Sequence, residues 1–112
     1  MKFDPVPFNP PNRKPVGRFT AQLSPDGWVE SMYENTPGAH LSSAEVMESS
    51  RFINSFIHSC GSQDVFQKYV KKHGKQIDNV TSVVFYHGSS LDFVVMVTGY
   101  AVAIAIHRKE NA

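Results

Sequence analysis

The chain has 112 residues and carries 11 Lys and Arg against 10 Asp and Glu, a formal net charge of +1. That length supports one hydrophobic core and not two, and so balanced a charge offers no general attraction to nucleic acid or to an anionic membrane. The lone cysteine, Cys60, excludes an intrachain disulfide and makes the cytosol or nucleus the expected compartment.

The N-terminal Met1-Lys2-Phe3-Asp4-Pro5 leads into no long apolar segment, and Lys2 stands where myristoylation needs glycine. The C-terminus carries no prenylation box, so neither export nor anchoring is expected. Five of the seven prolines fall within residues 1–15. Proline has no N–H to donate and a fixed φ, so this stretch is neither helix interior nor central strand. Residues 1–16 are expected to form an extended arm, and 17–112 the folded domain. Phe3, Val6 and Phe8 are the arm's docking residues, either on a groove of the domain itself or on a partner.

Two strand-like runs flank Ser24, Pro25, Asp26 and Gly27, whose order fits a tight turn closing a β-hairpin. Asn35 to Gly38 ends the second run. A helix follows with a strong start signal: Ser42 and Glu45 form a capping box, and Leu41 and Val46 are placed as a hydrophobic staple. At 100° per residue Val46, Ile53, Ile57 and Cys60 share one face, which Phe52 and Phe56 widen sideways. Gly61 stops this helix, and Ser62 or Asp64 caps a shorter one running to about His73 and Gly74. Phe66, Tyr69 and Val70 face inward on it. Lys68, Lys71, Lys72 and Lys75 make a stripe on the other side, read as a solvated face.

The apolar run from Phe93 to Ile106 falls short of the ~20 residues that a spanning helix needs, and Gly99 interrupts it. From Tyr100 onward large and small side chains alternate with period two, which is strand patterning. Thr81 to Tyr86 and Phe93 to Thr98 are β-branched and aromatic runs of similar length. Together these predict a three-stranded antiparallel meander, its last strand turning Ala101, Ala103 and Ala105 toward a closely approaching helix. The whole reads as an α+β domain: one antiparallel five-stranded sheet with one long and one short helix packed on it.

Chemistry is not legible in the pattern. His40, His58, His73, His87 and His107 sit on different elements, and no two have the spacing that lets a helix face hold a metal. His58 and Cys60 are two residues apart on a helix and point away from each other. The turn His87 to Ser90 lacks the lysine and following helix of a phosphate loop. No nucleophile–base or acid–base pair stands out, so no enzyme, cofactor or metal site is expected.

From Gly17 to about Lys109 the order of elements resembles the roadblock family. LSPDGWVES, residues 23–31, is similar to that family's first hairpin, and residues 80–110 are similar to its closing meander with a short basic tail. Within the family the chain looks most like the small roadblock subunits of the Ragulator, the late endosomal and lysosomal adaptor complex. The resemblance implies a non-enzymatic scaffold that forms a homodimer or a heterodimer with another roadblock-type subunit. It also implies binding to a small GTPase, and a place in the cytoplasm with recruitment to the lysosomal or endosomal surface through partners. No nucleic acid, membrane insertion or cofactor is implied. In that family helices pair side by side and sheets edge to edge, which designates Phe52 and Phe56 on the helix and Thr81, Val83 and Phe85 on the edge strand as interface residues. A dynein-type roadblock light chain and an unrelated small α+β binding or inhibitory protein are the alternatives.

Overall fold

A computed structural model describes residues 5–6, 11 and 13–109 of the chain. A hairpin comes first, β1 (Gly17–Ser24) and β2 (Gly27–Asn35). Its loop works as the sequence implies, with Ser24 Oγ accepting from the Asp26 N–H at 3.2 Å and donating to the Gly27 carbonyl at 3.0 Å. Gly27 takes φ 117°, a value that side-chain-bearing residues avoid. Two helices follow, α1 (Ser43–Ser59) and α2 (Gln63–His73). The expected capping box is present on α1: Ser42 Oγ accepts the Glu45 N–H, and Glu45 returns a carboxylate oxygen to the Ser42 N–H. Ser62 caps α2. The chain closes with β3 (Lys75–Gln76), β4 (Thr81–His87), β5 (Leu91–Thr98) and β6 (Ala101–Arg108).

All six strands form one antiparallel sheet in the order β2-β1-β6-β5-β4-β3. The strand beyond the five expected is β3, a two-residue segment that pairs with Ser82 and Val83. Hairpin and meander are joined where β1 lies against β6, from Gly17 opposite Ile106 to Gln22 opposite Ala101.

Both helices lie on one face of the sheet. Phe19 and Leu23 of β1, Phe93 and Val95 of β5, and Ile104 and Ile106 of β6 pack there with Phe52, Phe56 and Phe66. Phe56 and Phe66 are fully buried, and Phe52 stacks on Phe93 with ring centroids 4.0 Å apart. Trp28 locks β2 to the corner between the helices, donating its indole N–H to the carbonyls of Ile57 and Cys60 and resting edge-on against Phe66. Those carbonyls belong to the last turn of α1, where no intrahelical donor remains.

The strand parity of β6 is the reverse of the expectation. Register places Phe93 opposite Ile106, Val95 opposite Ile104 and Val97 opposite Val102. Facing residues share a side of the sheet, so the large residues turn to the helices and Ala101, Ala103 and Ala105 turn away. On that second face Val83, Phe85, Val94 and Ala105 form a smaller cluster, with Val6 and Met96 packed against it.

The arm therefore lies on its own domain at the points described. The Val6 N–H donates to the Phe85 carbonyl at 2.9 Å, and His107 Nδ1 hydrogen-bonds the Arg13 carbonyl at 3.0 Å. Thr36 Oγ1 donates to the Pro15 carbonyl and the Val16 N–H to that of Ile106, both at 2.7 Å. The other two docking residues named above, Phe3 and Phe8, lie outside the described residues. Among the described residues no helix is long and apolar enough to cross a membrane.

Candidate functional site

A sheet that does not close presents two edges, and each carries unpaired backbone donors and acceptors. This chain treats its edges differently. Beyond β4, Lys75 and Gln76 occupy the edge at Val83 and Ser82, and Val6 bridges Phe85. Beyond β2 no described strand follows.

β2 itself reads Gly-Trp-Val-Glu-Ser-Met-Tyr-Glu-Asn, and almost all of it is exposed, with Met32 reaching 56%. Its pairing with β1 is interrupted by a bulge: Thr20 faces Met32 and Gln22 faces Val29, so three steps on β2 match two on β1. Glu30 absorbs the extra residue with φ 54°, a left-handed conformation unusual for a side-chain-bearing residue. Past the bulge the ladder is regular, from Met32 opposite Thr20 to Asn35 opposite Gly17.

Beside this regular half runs a groove of about 280 Å³ between β2 and α1, lined by Phe19, Tyr33, Val46, Ile53, Ser49 and Asn54. Val46 belongs to its wall and is 48% exposed, rather than sharing the inward face with Ile53 as the helical spacing suggested. Tyr33 lies over Gly17, where a methyl group would sit 2.8 Å from its hydroxyl oxygen. Partial burial raises its phenol above the ordinary value.

Two other polar assemblies were invisible in the sequence. His87 Nδ1 stands 2.7 Å from Asp92 Oδ1, and Lys109 Nζ donates to the same oxygen at 2.9 Å. Burial works to raise the Asp92 carboxyl, but the hydrogen bonds from His87 and Lys109 outweigh it and hold the group below its usual range. His107, opposite Asp92 on β6, is pushed down by burial, with the Arg13 carbonyl and Asp92 in partial opposition. Separately, Glu48 of α1 accepts the N–H groups of Ser90 and Leu91, at 3.1 and 2.9 Å, and so ties the helix to the β4–β5 turn.

The residues designated as an interface fall elsewhere. Phe52 and Phe56 are packed into the core by their own sheet and α2, so neither side chain faces outward. Val83 and Phe85 are buried beneath Val6, and Thr81 is half-buried beside the two-residue β3. The sequence reading missed Tyr33, Val46, Glu30 and Glu34, because an amphipathic pattern cannot show which edge of a sheet is left open.

Cys60 is buried and its thiol is pushed up to about 11 by desolvation, which makes it a poor nucleophile at neutral pH. Among the described residues no three His, Cys, Asp or Glu side chains are grouped so as to hold a metal ion. Lys68, Lys71 and Lys72 of α2 are exposed as expected, whereas Lys75, also exposed, falls on β3 rather than on the helix. No protein-family model, no curated protein and no solved structure matches this chain.

Proposed function

We propose that this chain is a non-enzymatic adaptor subunit that pairs with a different protein chain, the joined pair presenting a surface to a small GTPase or to a GTPase-regulating assembly of the Ragulator type. One observation carries the pairing: a sheet with one edge covered and the other, β2, exposed beside an apolar groove. An uncovered strand of nine residues is an aggregation liability that a partner removes. The GTPase connection and a place on lysosomal or endosomal membranes through partners rest on the roadblock resemblance. The strand order of hairpin and meander, with a long helix between them in sequence, is compatible with it. Interface residues on this reading are those of β2 and the outer wall of α1 rather than Phe52 and Phe56.

Light scattering of the purified chain, alone and with proteins recovered by pull-down, tests the reading. The expected result is a defined complex with a roadblock-type, longin-type or GTPase partner. A stable monomer that recovers none of these overturns it in favour of an unrelated binding module.

A further inference from the structure

The open edge also dictates the chemistry of what it accepts. We propose that β2, from Ser31 to Asn35, takes up an extended segment of a different protein in which apolar residues alternate with lysine or arginine. The inference rests on the adaptor reading and adds the partner's chemistry to it.

The bulge sets the limits of the docking stretch. The bulge at the left-handed Glu30 splits β2 into two stretches of even pairing with β1, Gly27 to Val29 and Met32 to Asn35, and the second, which runs beside the groove, can template another strand on its outer side. Side chains of an added strand point alternately to the two faces of the sheet. Those on the helix face enter the groove between Tyr33 and Val46, above Phe19 and Ile53, where apolar groups are required.

Side chains on the other face flank Met32 and the carboxylates of Glu34 and Glu30. β2 contains these two carboxylates and no cationic residue. Among the described residues neither is in an ion pair, and Arg18, the cross-strand neighbour of Glu34, makes none with it. A basic residue on an added strand supplies the missing charge from the outer side, at cross-strand distance.

A second copy of the chain fits poorly. Two β2 strands laid together bring four glutamates to one seam with no lysine or arginine on either strand, and like charges at that spacing repel. Nor does the overall field select for a basic segment, since the net charge is +1. Any preference for cations at this edge has to come from Glu30 and Glu34 themselves.

The test uses two short capped peptides, one alternating valine with lysine and one alternating valine with glutamate, titrated into the full chain and followed by amide hydrogen exchange. The lysine peptide is expected to bind and to protect residues 31–35, and the glutamate peptide to bind about ten-fold more weakly or worse. The double variant Glu30→Lys, Glu34→Lys should reverse that order. Its own circular dichroism and melting curve serve as the folding control, because both side chains are exposed. Equal affinity for the two peptides, protection centred elsewhere, or a dimer of the chain sealed at β2 would each overturn the inference. A partner recovered by pull-down that protects β2 but binds it through a segment without alternating lysine or arginine keeps the adaptor reading and sinks this one alone.

Discussion

Glu45 serves two distant parts of the chain with one carboxylate. Oε1 accepts the Ser42 N–H at 2.9 Å and Oε2 accepts Arg108 Nε at 2.8 Å, so the start of α1 is pinned to the end of β6. The Arg108 hydrogen bond, with the Ser42 N–H next, lowers this carboxyl from 4.5 to about 2. A depressed folded-state value means that the stabilisation is complete above the unfolded value and is lost as pH falls from about 4.5 through about 2. Glu45→Gln should lower the melting midpoint at neutral pH and flatten its decline over that acid window, as thermal scans at several pH values will show. Arg108 is 39% exposed, and solvent screening keeps the effect modest. Phe56 behaves differently. Its side chain is fully buried, so Phe56→Ala should cost about 3–5 kcal/mol in denaturant unfolding. The shift should be independent of protein concentration, as a core residue requires and an interface residue does not.

The alanines of β6 are the informative feature among the elements. Ala103 is half-exposed over an open depression bordered by Thr20, Met96 and Thr98. Ala105 is 5% exposed within the cluster against which Val6 packs. Ala103→Leu should therefore leave the melting curve within about 0.5 kcal/mol of the parent. Ala105→Leu should overpack the site at a cost of about 1–3 kcal/mol. Equal effects at the two positions would mean that the arm does not cover the sheet as described. The β4–β5 turn is a second instance of close packing between elements. A methyl group on Gly88 would sit 2.8 Å from the Glu48 carboxylate and 2.9 Å from the Leu91 carbonyl. Gly88→Ala should displace Glu48 and free the Ser90 and Leu91 amides, which will then exchange faster.

At the scale of the molecule, the question is where the arm ends and the fold begins. Val16 is buried, its N–H bonds Ile106, and its carbonyl accepts from Thr36, so it belongs to the sheet in all but name. Deleting residues 1–12 should preserve the far-ultraviolet circular dichroism signal while uncovering Val83, Phe85 and Val94, visible as increased binding of an apolar dye. Extending the deletion through Val16 removes a buried side chain worth about 1.5–3 kcal/mol together with the Thr36 and Ile106 bonds, and should lower stability sharply. A full-length chain and both truncations with identical melting curves would show that the arm plays no part in the fold.

Local features of this protein were set by the sequence alone, because they depend on neighbours within a few residues. The Ser42–Glu45 box, the Ser24 turn, the two helices and the period-two runs of the meander follow from capping geometry, φ preferences and side-chain spacing. Which side of each strand faces the helices was not set in that way. In β5 Phe93, Val95 and Val97 alternate with Val94 and Met96, so both sides are apolar, and only cross-strand register with Val102, Ile104 and Ile106 decided the matter. The fate of Phe52 and Phe56 likewise depended on how much sheet lay beneath α1. The two-residue β3 and the bridge at Val6 come from chain segments that meet β4 only in the folded state, and they cover the edge expected to be free. The opposite edge stayed open because β1 and β6 joined hairpin to meander in the interior of the sheet, leaving β2 with one neighbour among the described strands.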